Sequence, residues 1–130
     1  VIKELGRVDK LVIGGKSVAA YAASRVADQM GVRGVVGMEF PFLSPDPDLV
    51  LDCGHLKKIK TPALIVQGSE DPLGGMSQVN DIPLSSRVNV HWLQEAGYNF
   101  LPGKNSKRSR DENILEAIEV IAEFVDLLEV

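Results

Sequence analysis

The sequence predicts an α/β protein: a three-layer arrangement with a parallel sheet of about four strands and helices on both faces. Three observations carry this. Short apolar runs alternate along the chain with segments whose apolar residues recur every three or four positions, the order that yields β-α-β crossovers. The run from Gly34 to Phe40 is almost continuously apolar, as a strand buried on both faces must be. At 130 residues the chain is long enough for one core and reads as a single domain over 1–130.

Taken in order, Val1 to Asp9 reads as a lead-in, the end of a helix closed by Gly6. The first strand is expected over Lys10 to Gly14, with a tight Gly14-Gly15 turn and a helix opening at Ser17. That helix carries Ala19, Ala22, Ala23, Val26, Ala27 and Met30 at helical spacing and stops at Gly31. The second strand spans Gly34 to Phe40. Pro41, Pro45 and Pro47 then block regular structure and favour an extended loop to Leu56, of the kind that shapes pockets above a sheet.

Thr61 to Gly68 is the third strand, and Ser69-Glu70-Asp71-Pro72 is a turn that holds an acid just past its end. A short helix is expected around Gly75 to Asp81, and a fourth strand over Val88 to Leu93. Ser109, followed three residues on by Glu112, forms a capping box that starts the last helix. Its buried stripe is read as Ile114, Ile118, Ile121, Val125 and Leu128.

Composition excludes several classes. A net charge of −4 argues against general nucleic-acid binding. One cysteine, Cys53, rules out an internal disulfide framework and suits a reducing, cytoplasmic setting. No run has the length and apolarity of a membrane span, and no signal peptide is visible. The residues show no metal-ligand spacing, so neither metal nor cofactor is expected. The chain opens on Val1, which points to a trimmed or partial chain.

The stretch Lys10 to Ala23 concentrates the chemistry. Gly15-Lys16-Ser17-Val18-Ala19 is the G-x-S-x-G nucleophile elbow with alanine in the last position. Small residues at 15 and 19 let strand and helix approach while Ser17 is held at the tip, beside free N–H groups of a helix N-terminus. A phosphate-binding loop, G-x-x-x-x-G-K-[ST], needs glycine at position 10, where Lys10 stands. An ordinary strand–turn–helix with an N-cap serine is the plain alternative.

In an open parallel sheet, reacting groups gather at the carboxyl ends of strands. Three ends carry candidates: Ser17, Asp71 and the loop around Tyr98. Together GGKS, GMEFPF, LKKIKTPALIVQGSEDPLG and VHWLQEAGYNF resemble the α/β-hydrolase superfamily. The branch they resemble is that of small predicted hydrolases similar to dienelactone-hydrolase-like enzymes. TPALIVQGSEDP is the most specific segment, and the likeness covers the C-terminal part of the family fold, without its N-terminal strands.

The resemblance implies that Ser17 is the nucleophile, Asp71 the triad acid and the Val18 N–H an oxyanion donor. The family's base is a histidine, and its position here is Tyr98. A phenol, with an ordinary pKa of about 10, takes a serine proton poorly at neutral pH. The expectation is therefore an esterase-like serine hydrolase of small ester or acyl substrates with weak or absent activity. The alternative is a non-catalytic binding or interaction module on a hydrolase scaffold, a pseudoenzyme.

The other candidates are weaker. His91 reads as a sheet residue, His55 as a structural hydrogen-bond partner and Cys53 as a thiol without a base. Lys104, Lys107 and Arg108 form a basic cluster ahead of the last helix. It is either simply solvated or placed to attract an anionic ligand. The free edge of the Leu11–Ile13 strand is expected to be covered by a second copy, making a homo-oligomer, or by a partner chain.

Overall fold

The computed structural model describes residues 6–44 and 46–128. Four strands, β1 (Val12–Lys16), β2 (Gly34–Met38), β3 (Ala63–Gly68) and β4 (Val88–Leu93), form one parallel sheet. Their spatial order, β1-β2-β3-β4, is also their chain order. The helices are α1 (Val18–Met30), α2 (Met76–Val79) and α3 (Arg110–Leu128).

Alternation along β3 divides the core. Ala63 and Ile65 face α1, where they join Ala20, Ala23, Ala27, Val35 and Phe40. Leu64 and Val66 face α3, where they meet Leu93, Phe100 and Ala117. Every residue of β3 is buried, and all of β2 but its last, which is the pattern of strands covered on both faces. The predicted three-layer α/β class is the observed one.

Several boundaries and faces differ from the sequence reading. The first strand does not stop at a Gly14-Gly15 turn: β1 runs through both glycines to Lys16, and only Ser17 makes the bend. The glycines serve packing rather than turning. A Cβ on Gly14 would lie 2.9 Å from the Val36 carbonyl oxygen. A Cβ on Gly15 would lie 2.5 Å from the Ala19 carbonyl carbon, because α1 crosses that closely.

The buried face of α1 is Ala20, Ala23, Ser24 and Ala27, whereas Ala19, Ala22 and Val26 are exposed. An alanine-rich helix offers two similar faces, and the elbow's direction chooses between them. β2 ends at Met38, before Phe40, and β3 begins at Ala63 rather than Thr61. Thr61 is spent on a brace instead: its N–H and its hydroxyl donate to Asp28 Oδ1 at 2.8 and 2.6 Å.

β4 matches its expected span, and α2 is a single turn within the expected 75–81. Gly31 closes α1 with φ 69°, the left-handed stop that glycine favours. The capping box forms in full: the Glu112 N–H donates to Ser109 Oγ at 3.1 Å, and the Ser109 N–H donates to Glu112 Oε1 at 3.0 Å. Along α3, Ile114, Ile121, Val125 and Leu128 of the expected stripe are half-buried, but Ile118 is 57% exposed and the fully buried positions are Asn113 and Ala117. Asn113 is drawn inward because its side-chain amide donates to the Phe100 carbonyl at 2.9 Å.

The helix end expected within the lead-in lies largely in 1–5, outside the described residues, as does Pro45. Val8–Lys10 form a one-turn 3-10 helix, which delays the first strand to Val12. Among the described residues no helix is long and apolar enough to cross a membrane.

The crossing of α1 over β1 is testable. Gly15→Ala pushes a methyl into Ala19 backbone that cannot rotate away, and should lower unfolding free energy by about 1–3 kcal/mol. Gly31→Ala has open space around it and should cost about 1 kcal/mol for its left-handed backbone alone. Urea unfolding of both variants checks the order; a larger loss at Gly31 would contradict the packing account.

Candidate active site

Ser17 caps the N-terminus of α1 with φ 57° and ψ −126°, a backbone setting that non-glycine residues rarely adopt. Its N–H donates to the Met38 carbonyl at 2.9 Å, so the sheet ladder itself holds the bend. Its hydroxyl makes no capping bond. A serine that bonds its own helix is an ordinary N-cap; this one is strained and free. Val18 opens the helix, leaving its N–H among those without an intrahelical partner.

Asp71 sits one turn past β3 and is buried. Its Oδ1 accepts the Leu73 N–H at 2.8 Å, closing the Ser69–Pro72 turn. Burial pushes its pKa up, the Leu73 N–H works against this, and the nearby negative charge of Glu39 adds to the rise.

The loops after β3 and β4 are stitched together. The Ser69 and Glu70 N–H groups donate to the Leu93 and Ala96 carbonyls, and the Glu95 N–H donates to Ser69 Oγ at 2.8 Å. This sets the Gly97–Phe100 turn beside the Asp71 turn. Tyr98 stands on it 61% exposed, followed by Asn99 and Phe100 at φ 58° and 61°. No side-chain hydrogen bond joins Ser17, Asp71 and Tyr98 among the described residues.

The elbow and the Tyr98 loop are linked through neighbouring residues. Lys16 Nζ donates to Asn99 Oδ1 at 2.9 Å, and Arg110 donates to the Asn99 carbonyl at 2.9 Å and to its Oδ1 at 3.3 Å. Lys16 Nζ also lies 3.4 Å from Glu39 Oε2, an ion pair that lacks hydrogen-bond geometry. Glu39 closes β2 with φ 51°, is 4% exposed, and receives no hydrogen bond on either carboxylate oxygen. An acceptor left in that state typically costs about 1–3 kcal/mol.

Sequence reasoning did not single out Glu39, though the signal was there: one charge at the end of an apolar run, directly before Phe40-Pro41-Phe42. Gln67 was also missed. It is fully buried, accepts the Phe40 N–H at 2.8 Å, and donates to the Phe40 and Gly74 carbonyls at 2.9 and 3.1 Å. A lone amide inside the apolar run of β3 was its mark.

The basic cluster divides. Arg108 is engaged within its own helix start, donating to Asn113 Oδ1 and the Glu112 carbonyl and pairing with Glu116 at 3.0 Å. Lys104 borders a polar hollow with Glu70, Glu95 and Asn105, and Lys107 is exposed. His91 is held by Glu116 at 2.6 Å. His55 meets Ser24 Oγ at 2.7 Å and stacks edge-on against Tyr21. Burial, helped by Arg25, lowers its pKa, which keeps it a neutral structural partner. Burial beside Asp52 raises the Cys53 thiol, away from nucleophile chemistry.

The bend holds Ser17 at the end of β1, and Asp71 follows the end of β3, the chain order expected from the sequence. The chain belongs to the alpha/beta hydrolase domain family, whose description matches residues 1–126. No curated protein matches it. Among solved structures it is similar to an alpha-beta serine hydrolase homologue from Coxiella burnetii. That match has 22% identity and a TM-score of 0.66, covering 98% of this chain and 53% of the other. It is also similar to the esterase domain of a Rhodothermus marinus protein, at 15% identity and a TM-score of 0.59, covering 88% and 59% respectively. At such identities the likeness is one of fold, and the chain spans a little over half the length of these neighbours.

The raised Asp71 pKa has a signed consequence. The fold favours its neutral form, so ionisation costs stability as pH climbs from the ordinary aspartate value of 3.8 through the higher folded value. Asp71→Asn keeps the Oδ1 acceptor and removes that cost. Its thermal stability relative to the parent should rise across this window and hold above it, with no gain below pH 3.8. A gain that grows toward acid would reverse the sign and contradict the burial argument.

Proposed function

We propose that this chain carries the nucleophile and acid of a serine-hydrolase site of the dienelactone-hydrolase-like branch, acting on small ester or related acyl compounds. The observation that carries the reading is Ser17, strained at φ 57° and with an unspent hydroxyl, on a bend packed through Gly15 against Ala19. In this reading Ser17 Oγ attacks an acyl carbonyl and passes its proton to a base, and the alcohol leaves with a proton. Water then releases the acid from the serine ester. The Val18 N–H donates to the oxyanion, and Asp71 orients the base. Lys104 and Lys107 draw in anionic substrates.

With Tyr98 in the base position, turnover by this chain is expected to be weak or absent. A second reading, a binding module that keeps the scaffold, is favoured by the exposure of Tyr98 and by the Asp71 carboxylate already closing its own turn. A fluorophosphonate probe separates the two: a stoichiometric adduct on Ser17, located by mass spectrometry, is expected if the serine is activated. Tyr98→His should then raise ester hydrolysis at least tenfold. No adduct on either protein would leave the module reading.

We also propose that a second copy covers the open β1 edge. Beside an edge that pairs with no other strand among the described residues, Val12 shares a hollow with Lys10, Arg33, Val125 and Leu128, so two-fold pairing would bring the same edge and hollow to both copies. Sedimentation at high concentration should show a dimer; a clean monomer removes the idea.

A further inference from the structure

A second hollow, of about 210 Å³, opens between the end of β2 and the first half of α3. It is lined by neither Ser17, Asp71 nor Tyr98. Its polar end is made by Glu39, Lys16, Asn99 and Arg110, and its apolar wall by Met38, Ile114, Ile118 and Ile121. The volume equals that of about seven waters at roughly 30 Å³ each. That is room for one small head group and a short branched chain.

The head group can be read from the donors and acceptors. Both Glu39 oxygens are buried without a hydrogen-bond donor, a state that calls for an explanation, and a bound ligand is one. The backbone at Glu39 is strained as well, at φ 51°. Lys16 has three donors and spends one on Asn99, while its Nζ lies 3.4 Å from Glu39 Oε2 without donating to it. Arg110 has five and uses two on Asn99.

A ligand with only a positive head would meet Glu39 but be repelled by Lys16 and Arg110. A ligand with only a negative head would meet the two cations but be repelled by Glu39. Adjacent opposite charges in the wall select a head that carries both, with charge-assisted hydrogen bonds at each end.

We propose that this hollow binds a free apolar α-amino acid, its ammonium on Glu39, its carboxylate on Lys16 and Arg110, and its side chain along the isoleucines of α3. The site needs no reaction at Ser17. It therefore stands or falls separately from the hydrolase reading.

Calorimetric titration of the 130-residue chain with leucine, isopentylamine, 4-methylpentanoate and leucinamide tests it. Leucine should bind, and each analogue, lacking one charge of the head, should bind at least tenfold more weakly. Glu39→Gln should weaken leucine at least tenfold. Ile118→Trp, at a position exposed enough to accept the ring, should fill the hollow and abolish binding while circular dichroism stays that of the parent. Failure of leucine to bind, equal binding of any analogue, or binding indifferent to Ile118→Trp would each overturn the proposal.

Discussion

The close crossing of α1 over β1 at Gly15 and Ala19 is the constraint on which the rest of the molecule depends. A strand can turn straight into a helix only if the helix backbone is allowed to sit almost on the strand. Absence of a side chain at 15 and a methyl at 19 permits it. The bend then falls on one residue, and Ser17 absorbs the strain. The same crossing rotates α1 so that Ala20, Ala23 and Ala27 meet the sheet. A larger residue at 15 would move the helix, its buried face and the serine together.

Above the sheet, the strand ends are joined by side chains rather than by further secondary structure. Gln67 binds the peptide of Phe40 at both its N–H and its carbonyl, so its amide acts like one more rung of a β-ladder across a gap in the backbone. Lys16 and Arg110 hold Asn99 by its side-chain oxygen, and Arg110 also by its carbonyl. The Gln67 contacts are buried, where a satisfied network gives rigidity and an unsatisfied group is costly, whereas those to Asn99 are exposed. Glu39 is the member left unsatisfied, which is why the chemistry of the region beyond Ser17 centres on it.

The fold was largely legible because it is written in periodicity. β4 was placed to the residue, α3 was started by its capping box, and the parallel order followed from alternating strands and helices. The strand-to-helix bend was located, but its glycines were given a turning role that belongs to Ser17. Close approach and tight turning use the same residue, and only the position of the neighbouring helix tells them apart. The faces of α1 and α3 were read only in part, with Ala19, Ala22, Val26 and Ile118 wrongly placed inward: alanine carries little directional signal, and one hydrogen-bonded asparagine outweighs an exposed isoleucine. Within the site, single residues with known chemistry stood out, whereas Glu39, Gln67 and Asn99 matter through partners up to 83 positions away, which local pattern does not reveal.

The identity of chain order and spatial order in the sheet governs how the molecule comes together during synthesis, when N-terminal segments emerge first. Each strand, on emerging, finds the neighbour it pairs with already made, and none has to be inserted between two others. Lys16 and Glu39 are therefore in place early, while Asn99 and Arg110 arrive with the last quarter of the chain. Until then the elbow is open to water on that side. The segment from Asn99 to Arg110 closes the upper cluster as a latch closes over a finished frame.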